Sequence, residues 1–366
     1  MRKKATPVLT AIDLFSGCGG LTLGLKQAGF RVLGAVEIDP LAVATYKTNH
    51  KRVNVWAQDI CGLSVNAVMT RLRIRRGQLD LLSGCPPCQG FSTMTSLNGG
   101  KSNDDSRNDL VFQFIRFVRG LRPKTVMMEN VPGLAKDRRL KELTDELERM
   151  GYCCSYSILD AANYGVPQRR RRFILVAGRG VHISFGRKAR RKWTVRDIFT
   201  KLGKRAKHDP LHNLPEQRSE KVKKIIRLIP KDGGSRGALA RKHQLKCHSR
   251  CTGFRDVYGR MAWNKVSPTI TGGCCNPSKG RFLHPTKNRA ITLREAALLQ
   301  TFPLKYFFSL RRGKFLAAQM IGNALPPEFI RRHAAQLTRF LRRMPVRKKP
   351  ESSRRVPKDI VRWDLS

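Results

Sequence analysis

The feature that most constrains the fold lies near the start of the chain. Val8 to Leu14 reads as a buried strand, Phe15-Ser-Gly-Cys-Gly-Gly20 turns sharply, and Leu21 to Ala28 follows as a helix closed by Gly29. Strand, glycine turn and helix together make a nucleotide-binding unit of an α/β fold. The dinucleotide fingerprint G-x-G-x-x-G needs a third glycine at position 22, where Thr22 stands. A nicotinamide or flavin site is therefore disfavoured. The merely structural alternative is a tight turn with no ligand.

The next segments extend the same pattern. Arg31 to Val36 is a second strand whose tip carries Glu37, 20 positions after Gly17, where such units place an acid that accepts from ribose hydroxyls. Asp39-Pro40 reads as a helix cap followed by a first helical residue. Asn54 to Gln58 is read as a third strand, with Asp59 at its end in position to bond an adenine amino group.

Asp80-Leu-Leu-Ser-Gly-Cys-Pro-Pro-Cys-Gln-Gly-Phe-Ser92 ends a strand at Leu82 and presents a thiol on a turn stiffened by two prolines. Cys88 is the candidate nucleophile. A redox pair with Cys85 and an inert buried cysteine are the alternatives, since the stretch also spells C-x-x-C. Thr93 to Ser106 reads as a loop, and Arg107 to Leu121 as a helix apolar along one face. The strand Lys124 to Met128 then ends in Glu129-Asn-Val-Pro132. Ligands of doubly wound sheets bind beyond the carboxyl ends of the strands, so Cys88 and Glu129 can face one cavity. An isolated glutamate there is otherwise a solvated loop acid. Leu140 to Met150 is a helix and Ser155 to Leu159 a strand. Before the strand Phe173 to Ala177 come four successive arginines, of which Arg170 and Arg172 share one face of an extended chain and Arg169 and Arg171 the other.

In order along the chain, FSGCGG at 15–20, GCPPCQGFS at 84–92, MENVPG at 128–133, NYGVPQRRRRF at 163–173, NRAITLREAALLQTFP at 288–303 and MIGNALPP at 320–327 resemble the DNA (cytosine-5) methyltransferase family. The short chain resembles its bacterial restriction-modification members. The resemblance implies an α/β fold: a Rossmann-like S-adenosylmethionine-dependent methyltransferase domain with a smaller, irregular target-recognition domain. It places a catalytic and cofactor-binding large domain at 1–183, target recognition at 184–288, a hinge and return to the large domain at 289–345 and a basic tail at 346–366. It selects Cys88, in Pro87-Cys88-Gln89, as nucleophile over Cys85, and implies catalytic roles for Glu129, Arg170 and Arg172. Phe15, Gly17, Gly19, Glu37, Asp59 and Asn323 carry over to S-adenosylmethionine. Gln89, Ser92, Thr269 and Ile270 carry over to DNA, and no metal is required. Ile38 stands where an aromatic often stacks on adenine.

Bulk charge agrees with a polyanionic partner. Lys plus Arg is 73 against 26 Asp plus Glu, a formal net charge of +47. Arg187 to Arg260 alone holds 23 Lys or Arg and 6 Asp or Glu, net +17. The partner expected is double-stranded DNA, with a cognate restriction endonuclease acting separately; the enzyme is expected as a monomer in the bacterial cytoplasm. No apolar run reaches the length of a bilayer span, and ten unevenly spread cysteines do not form a disulfide framework. His243, Cys247, His248 and Cys251 match no regular zinc spacing. The alternatives are an RNA cytosine methyltransferase of the same fold, whose cysteine-phenylalanine-threonine signature is missing, and a catalytically idle DNA-binding relative.

Overall fold

The structure is a computed structural model and describes residues 7–87, 110–244 and 256–344. Its framework is a seven-stranded sheet in the order β3-β2-β1-β4-β5-β7-β6. The strands are β1 (Leu9–Leu14), β2 (Phe30–Val36), β3 (Asn54–Trp56), β4 (Leu81–Gly84), β5 (Thr125–Asn130), β6 (Tyr152–Asp160) and β7 (Arg171–Arg179). The first five pair in parallel, whereas β7 runs antiparallel to both β5 and β6.

Helices cover both faces, as a largely parallel sheet demands. Alternation along β1 divides the core in two. Ile12 and Leu14 pack with α3 (Val65–Leu72), α4 (Leu110–Leu121) and α5 (Arg138–Arg149) on one face. Leu9 and Ala11 pack on the other face with α1 (Gly20–Gln27) and the long closing helix α10 (Pro327–Arg343). Between these elements lies α2 (Pro40–Asn49), capped as the sequence predicts: the Asp39 carboxylate accepts from Leu41 N at 2.9 Å, and Pro40 is the first helical residue. The aromatic face of α4 is fully buried at Phe114 and Phe117. Each such ring contributes about 1.5–3 kcal/mol of transfer free energy.

Between β7 and α10 the chain has little regular structure. A third apolar cluster joins α6 (Val195–Phe199), α8 (Leu293–Leu299) and α9 (Gly313–Asn323) to Cys274, Cys275 and Phe282. A smaller one surrounds Ile225 and Ile226 of α7 (Glu220–Leu228). With few ladders to hold it, this stretch uses a side chain as a brace. Arg260, fully buried, donates to the carbonyls of Ile226 at 2.6 Å, Ile229 at 3.0 Å, His284 at 3.0 Å and Lys287 at 2.7 Å. Among the described residues no helix is long and apolar enough to cross a membrane.

Several boundaries differ from the sequence reading: β3 stops at Trp56, short of Gln58, while β4 runs to Gly84, past Leu82, and β5 to Asn130, past Met128. The strand expected from Ser155 begins at Tyr152, and the one expected from Phe173 begins at Arg171. Both extensions belong to one antiparallel ladder, in which Asp160 faces Arg171 and Tyr152 faces Arg179. Partial burial of the edge strand β6 leaves its apolar pattern too weak to mark the true ends.

Candidate active site

Parallel β4 and β5 lie side by side, with Gly84 opposite Met128, so the turn after β4 and the tip of β5 open on the same rim. The Asn130 amide donates to the Pro86 carbonyl at 3.1 Å and fixes that turn two residues before Cys88. Cys88, Gln89 and Ser92 themselves lie outside the described residues.

Glu129 is 6% exposed and forms an ion pair with Arg172, Nε to Oε1 2.9 Å. Burial raises its pKa above the usual glutamate value; the Arg172 and Arg170 charges and a hydrogen bond from the Cys85 thiol oppose that shift without cancelling it. Cys85 in turn is pushed well above an ordinary thiol, by burial first and then by Glu129 and Asp13. It is a poor thiolate and a good donor to the carboxylate.

Burial alternates through the arginine run, with Arg169 and Arg171 exposed, Arg172 half-buried and Arg170 buried. Arg170 stands behind Arg172 and does not reach into the open rim. Its guanidinium donates to the Ile270 carbonyl at 2.9 Å and the Gly322 carbonyl at 3.0 Å. Arg170, expected from the sequence to act beside Arg172, thus ties the chain around Ile270 to α9 while its charge still acts on Glu129. Ile270 departs from its expected DNA contact. It is fully buried, donates its N–H to Gln168 Oε1 at 2.8 Å and gives its carbonyl to Arg170. Thr269 donates its hydroxyl to the Arg169 carbonyl at 2.7 Å. Gln168 continues this join to Gln300 at 2.8 Å, and Gln300 donates to the Ile321 carbonyl at 2.7 Å. Gly322 permits the contact, because a Cβ there would lie 2.1 Å from the Thr271 carbonyl carbon.

At the other end of the same rim the chain alternates through left-handed backbone at Phe15 (φ 57°), Gly17 (φ 53°) and Gly19 (φ 95°). For the phenylalanine this conformation is strained, as is common where backbone shapes a ligand site. A Cβ added to Gly17 would meet nothing within 4 Å, so the turn faces open space. Glu37 locks the turn: Oε2 accepts from Gly17 N at 2.7 Å, and Oε1 from Ile38 N at 3.1 Å and Asp39 N at 2.9 Å. Oε2 keeps acceptor capacity for a further hydroxyl. Ile38 is 62% exposed beside it. Asp59 is exposed and uses Oδ1 to cap a short turn through Cys61 N at 2.9 Å. Asn323 ends α9 with its side chain exposed. Open glycine backbone, an acid with spare acceptor capacity and an exposed apolar flank suit a nucleoside with a charged tail.

The sequence reading misses the support beneath this turn. His50 Nε2 lies 3.2 Å from the Gly19 carbonyl and 3.0 Å from the Tyr306 hydroxyl, which donates to the Cys18 carbonyl at 2.7 Å. Burial and neighbouring Lys26 depress the imidazole to about 4, so it is neutral at pH 7. Tyr306 stands 256 positions from His50, and no local pattern links them. Asp13 is also missed. It is fully buried in β1, pushed up to about 7 by burial despite a 2.6 Å bond from Thr22, and its Oδ1 lacks a hydrogen-bond partner among the described residues. An acid inside an apolar strand is the signal that marks it.

The two ion pairs made by the later motif differ from that of Glu129. Arg294 pairs with Asp209 and donates to the Tyr306 carbonyl at 2.9 Å. Glu295 receives both arms of Arg289 at 2.7 Å and the Thr292 N–H at 2.8 Å.

Comparison with known proteins gives a consistent result. The chain is 35% identical over 347 residues to the Type II methylase M.HgiDII of Herpetosiphon aurantiacus, spanning 90% of this chain and 95% of that protein. It is 35% identical over 328 residues to the Type II methyltransferase M1.HphI of Haemophilus parahaemolyticus, spanning 87% and 84%. A crystal structure of a prophage-encoded DNA modification methyltransferase from E. coli superposes with a TM-score of 0.64 at 26% identity, covering 91% of this chain and 99% of that one. DNMT2 of Spodoptera frugiperda shares the fold alone, with a TM-score of 0.59 at 19% identity. The model of the family described as C-5 cytosine-specific DNA methylase matches residues 9–339, and this chain belongs to that family.

Proposed function

We propose that this DNA cytosine-5 methyltransferase takes its methyl group from S-adenosylmethionine and works through a covalent adduct between Cys88 and a cytosine flipped out of duplex DNA. The observation that carries the reading is the buried Glu129–Arg172 pair on the rim that the Asn130–Pro86 hydrogen bond joins to the Cys88 turn.

Carbon 5 of cytosine is a weak nucleophile. Addition of the Cys88 thiolate at carbon 6 converts the ring to an enamine able to attack an electrophilic methyl carbon. Electron density then builds at ring nitrogen 3 and the exocyclic oxygen. Glu129, held toward its protonated form by burial, donates a proton or hydrogen bond to nitrogen 3, while Arg172 holds the oxygen and favours the thiolate. Arg170 keeps Arg172 and the second lobe in register. Loss of the carbon 5 proton and departure of the cysteine complete the turnover.

Bound S-adenosylmethionine supplies the sulfonium methyl. Phe15, Gly17 and Gly19 would shape its seat, with Glu37 toward the ribose, Asp59 toward the adenine and Asn323 from α9. The cytosine has to leave the stack to reach this rim. Gln89, Ser92 and Thr269 are the DNA contacts proposed, and phosphate-seeking cations of the second lobe anchor the duplex. The working unit is a monomer in the compartment that holds the DNA, with any cognate endonuclease acting separately. Tritium from S-adenosylmethionine should appear in cytosine of duplex DNA, and a 5-fluorocytosine substrate should trap a covalent complex. Transfer that survives Cys88→Ser overturns the reading.

A further inference from the structure

The rim opposite the active site carries a second concentration of positive charge. As the crossover helix between β3 and β4, α3 delivers its last turn and the loop after it to the amino-terminal ends of the strands. Arg71, Arg73, Arg75 and Arg76 follow one another there with no acid between residues 65 and 79. Arg73 ends the helix in left-handed backbone, φ 52°, which turns the chain back along this rim. Gly77 N–H donates to the Leu121 carbonyl at 2.8 Å, and Arg76 reaches the Arg119 carbonyl at 3.3 Å. Arg122, 5.9 Å from the Tyr152 ring centroid, and Arg179 at the end of antiparallel β7 extend the patch.

The patch joins unneutralised charge to a groove. Two acids near the rim are engaged, Glu146 with Arg119 at 2.6 Å and Arg149 at 2.7 Å and Asp80 with Lys124 at 2.6 Å, while exposed Glu148 forms no ion pair among the described residues. Arg71, Arg73, Arg75, Arg76, Arg122 and Arg179 form no ion pair among the described residues. Arg73, Arg75 and Arg76 line an open groove of about 570 Å³ with Asn66, Thr70 and Met69. Guanidinium forks beside amide and hydroxyl groups match a row of phosphates, which a duplex presents at about one charge per 1.7 Å of axis. Four strand steps separate Thr125 at this rim from Glu129 at the other, about 13 Å. The arginines therefore face away from DNA whose cytosine enters the active site.

We propose that this rim is a second binding surface for duplex DNA, holding a segment other than the one undergoing methylation. It goes beyond the catalytic reading and can fail without it.

The full chain is first loaded with unlabelled short fragments of one plasmid at no more than one fragment per protein molecule, so that the catalytic rim is occupied and no free fragment remains to fill the opposite rim. It is then challenged with a fluorescent duplex of unrelated sequence, and capture is read by anisotropy. The triple variant Arg71→Gln, Arg75→Gln, Arg76→Gln is compared with Arg339→Gln, Arg342→Gln, Arg343→Gln on α10, which removes equal charge elsewhere. The expected result is at least about tenfold weaker capture by the first variant alone. The slope of log affinity against log salt should become shallower by about 2–3, near 0.9 for each lost phosphate contact. Methyl transfer to the short fragments should match wild type. Equal capture by both triple variants, or no capture by wild type, overturns the second surface. Absence of methyl transfer by wild type counts instead against the catalytic reading, and capture is still scored by itself.

Discussion

Glu129 and Glu295 are both buried, at 6% and 1% exposure, and both face an arginine, yet their carboxyls move in opposite directions. For each, burial is the largest influence and favours the neutral acid. Glu295 overcomes it with two parallel bonds from Arg289, the charge of that arginine and the Thr292 N–H, and is held below the usual glutamate value. Glu129 has one guanidinium nitrogen at 2.9 Å and a thiol, and burial wins. The lesson concerns partner number. A saturated carboxylate is a strut fixed in its charge, whereas an under-partnered one in the same degree of burial stays ready to carry a proton.

Substitution tests this contrast most severely. Glu129→Gln should lower kcat about 10²–10⁴-fold, the usual worth of a positioned acid, with little change in Tm. Glu295→Gln should instead cost about 1.5–3 kcal/mol of stability, because it takes the counter-charge and one charged acceptor from half-buried Arg289, while surviving folded enzyme turns over normally. A comparable kcat loss in both, at equal folded fraction, breaks the distinction.

The pH dependence of stability gives the two acids opposite signs. A carboxyl whose folded pKa is raised binds more protons folded than unfolded, so Glu129 reduces stability as pH rises from the unfolded value of about 4.5 through the folded one. Glu295, with its folded pKa depressed, contributes stability that is fully present above about 4.5 and is lost as pH falls through the folded value. Urea denaturation across pH 3 to 8 should show Glu129→Gln gaining on wild type as pH rises above about 4.5, and Glu295→Gln gaining as pH falls below it. Parallel curves for the two variants would remove the contrast.

The smallest expected effect concerns the support under the cofactor turn. Tyr306→Phe removes the bond to the Cys18 carbonyl and the contact with His50, worth about 1 kcal/mol. The KM for S-adenosylmethionine should rise about fivefold at nearly constant kcat. A fall in kcat at unchanged KM would place Tyr306 in another role.

What the sequence made legible followed from local chemistry. The glycine turn, Asp39 as a cap and Glu129 at a strand tip each depend on residues within a few positions, and each appears where the pattern puts it. Arg171 and Arg172 read as an extended run before the strand rather than as part of it, because their ladder partners, Asp160 and Leu159, are a strand away. Arg170 and Ile270 carry motif-level expectations of ligand contact, yet their hydrogen bonds run to segments 100 and 152 positions distant, beyond any periodicity. The His50–Tyr306 support is hidden for the same reason.

Antiparallel β7 has a consequence for how this enzyme ages and warms. Arg172 is the second residue of a strand whose register against β5 pairs Glu129 with Ile174. Acid and cation are thus spaced by main-chain ladder bonds, and loosening of a surface loop cannot part them. Heating should extinguish chemistry only as the whole sheet gives way, so that thermal inactivation and loss of far-ultraviolet dichroism fall on one curve.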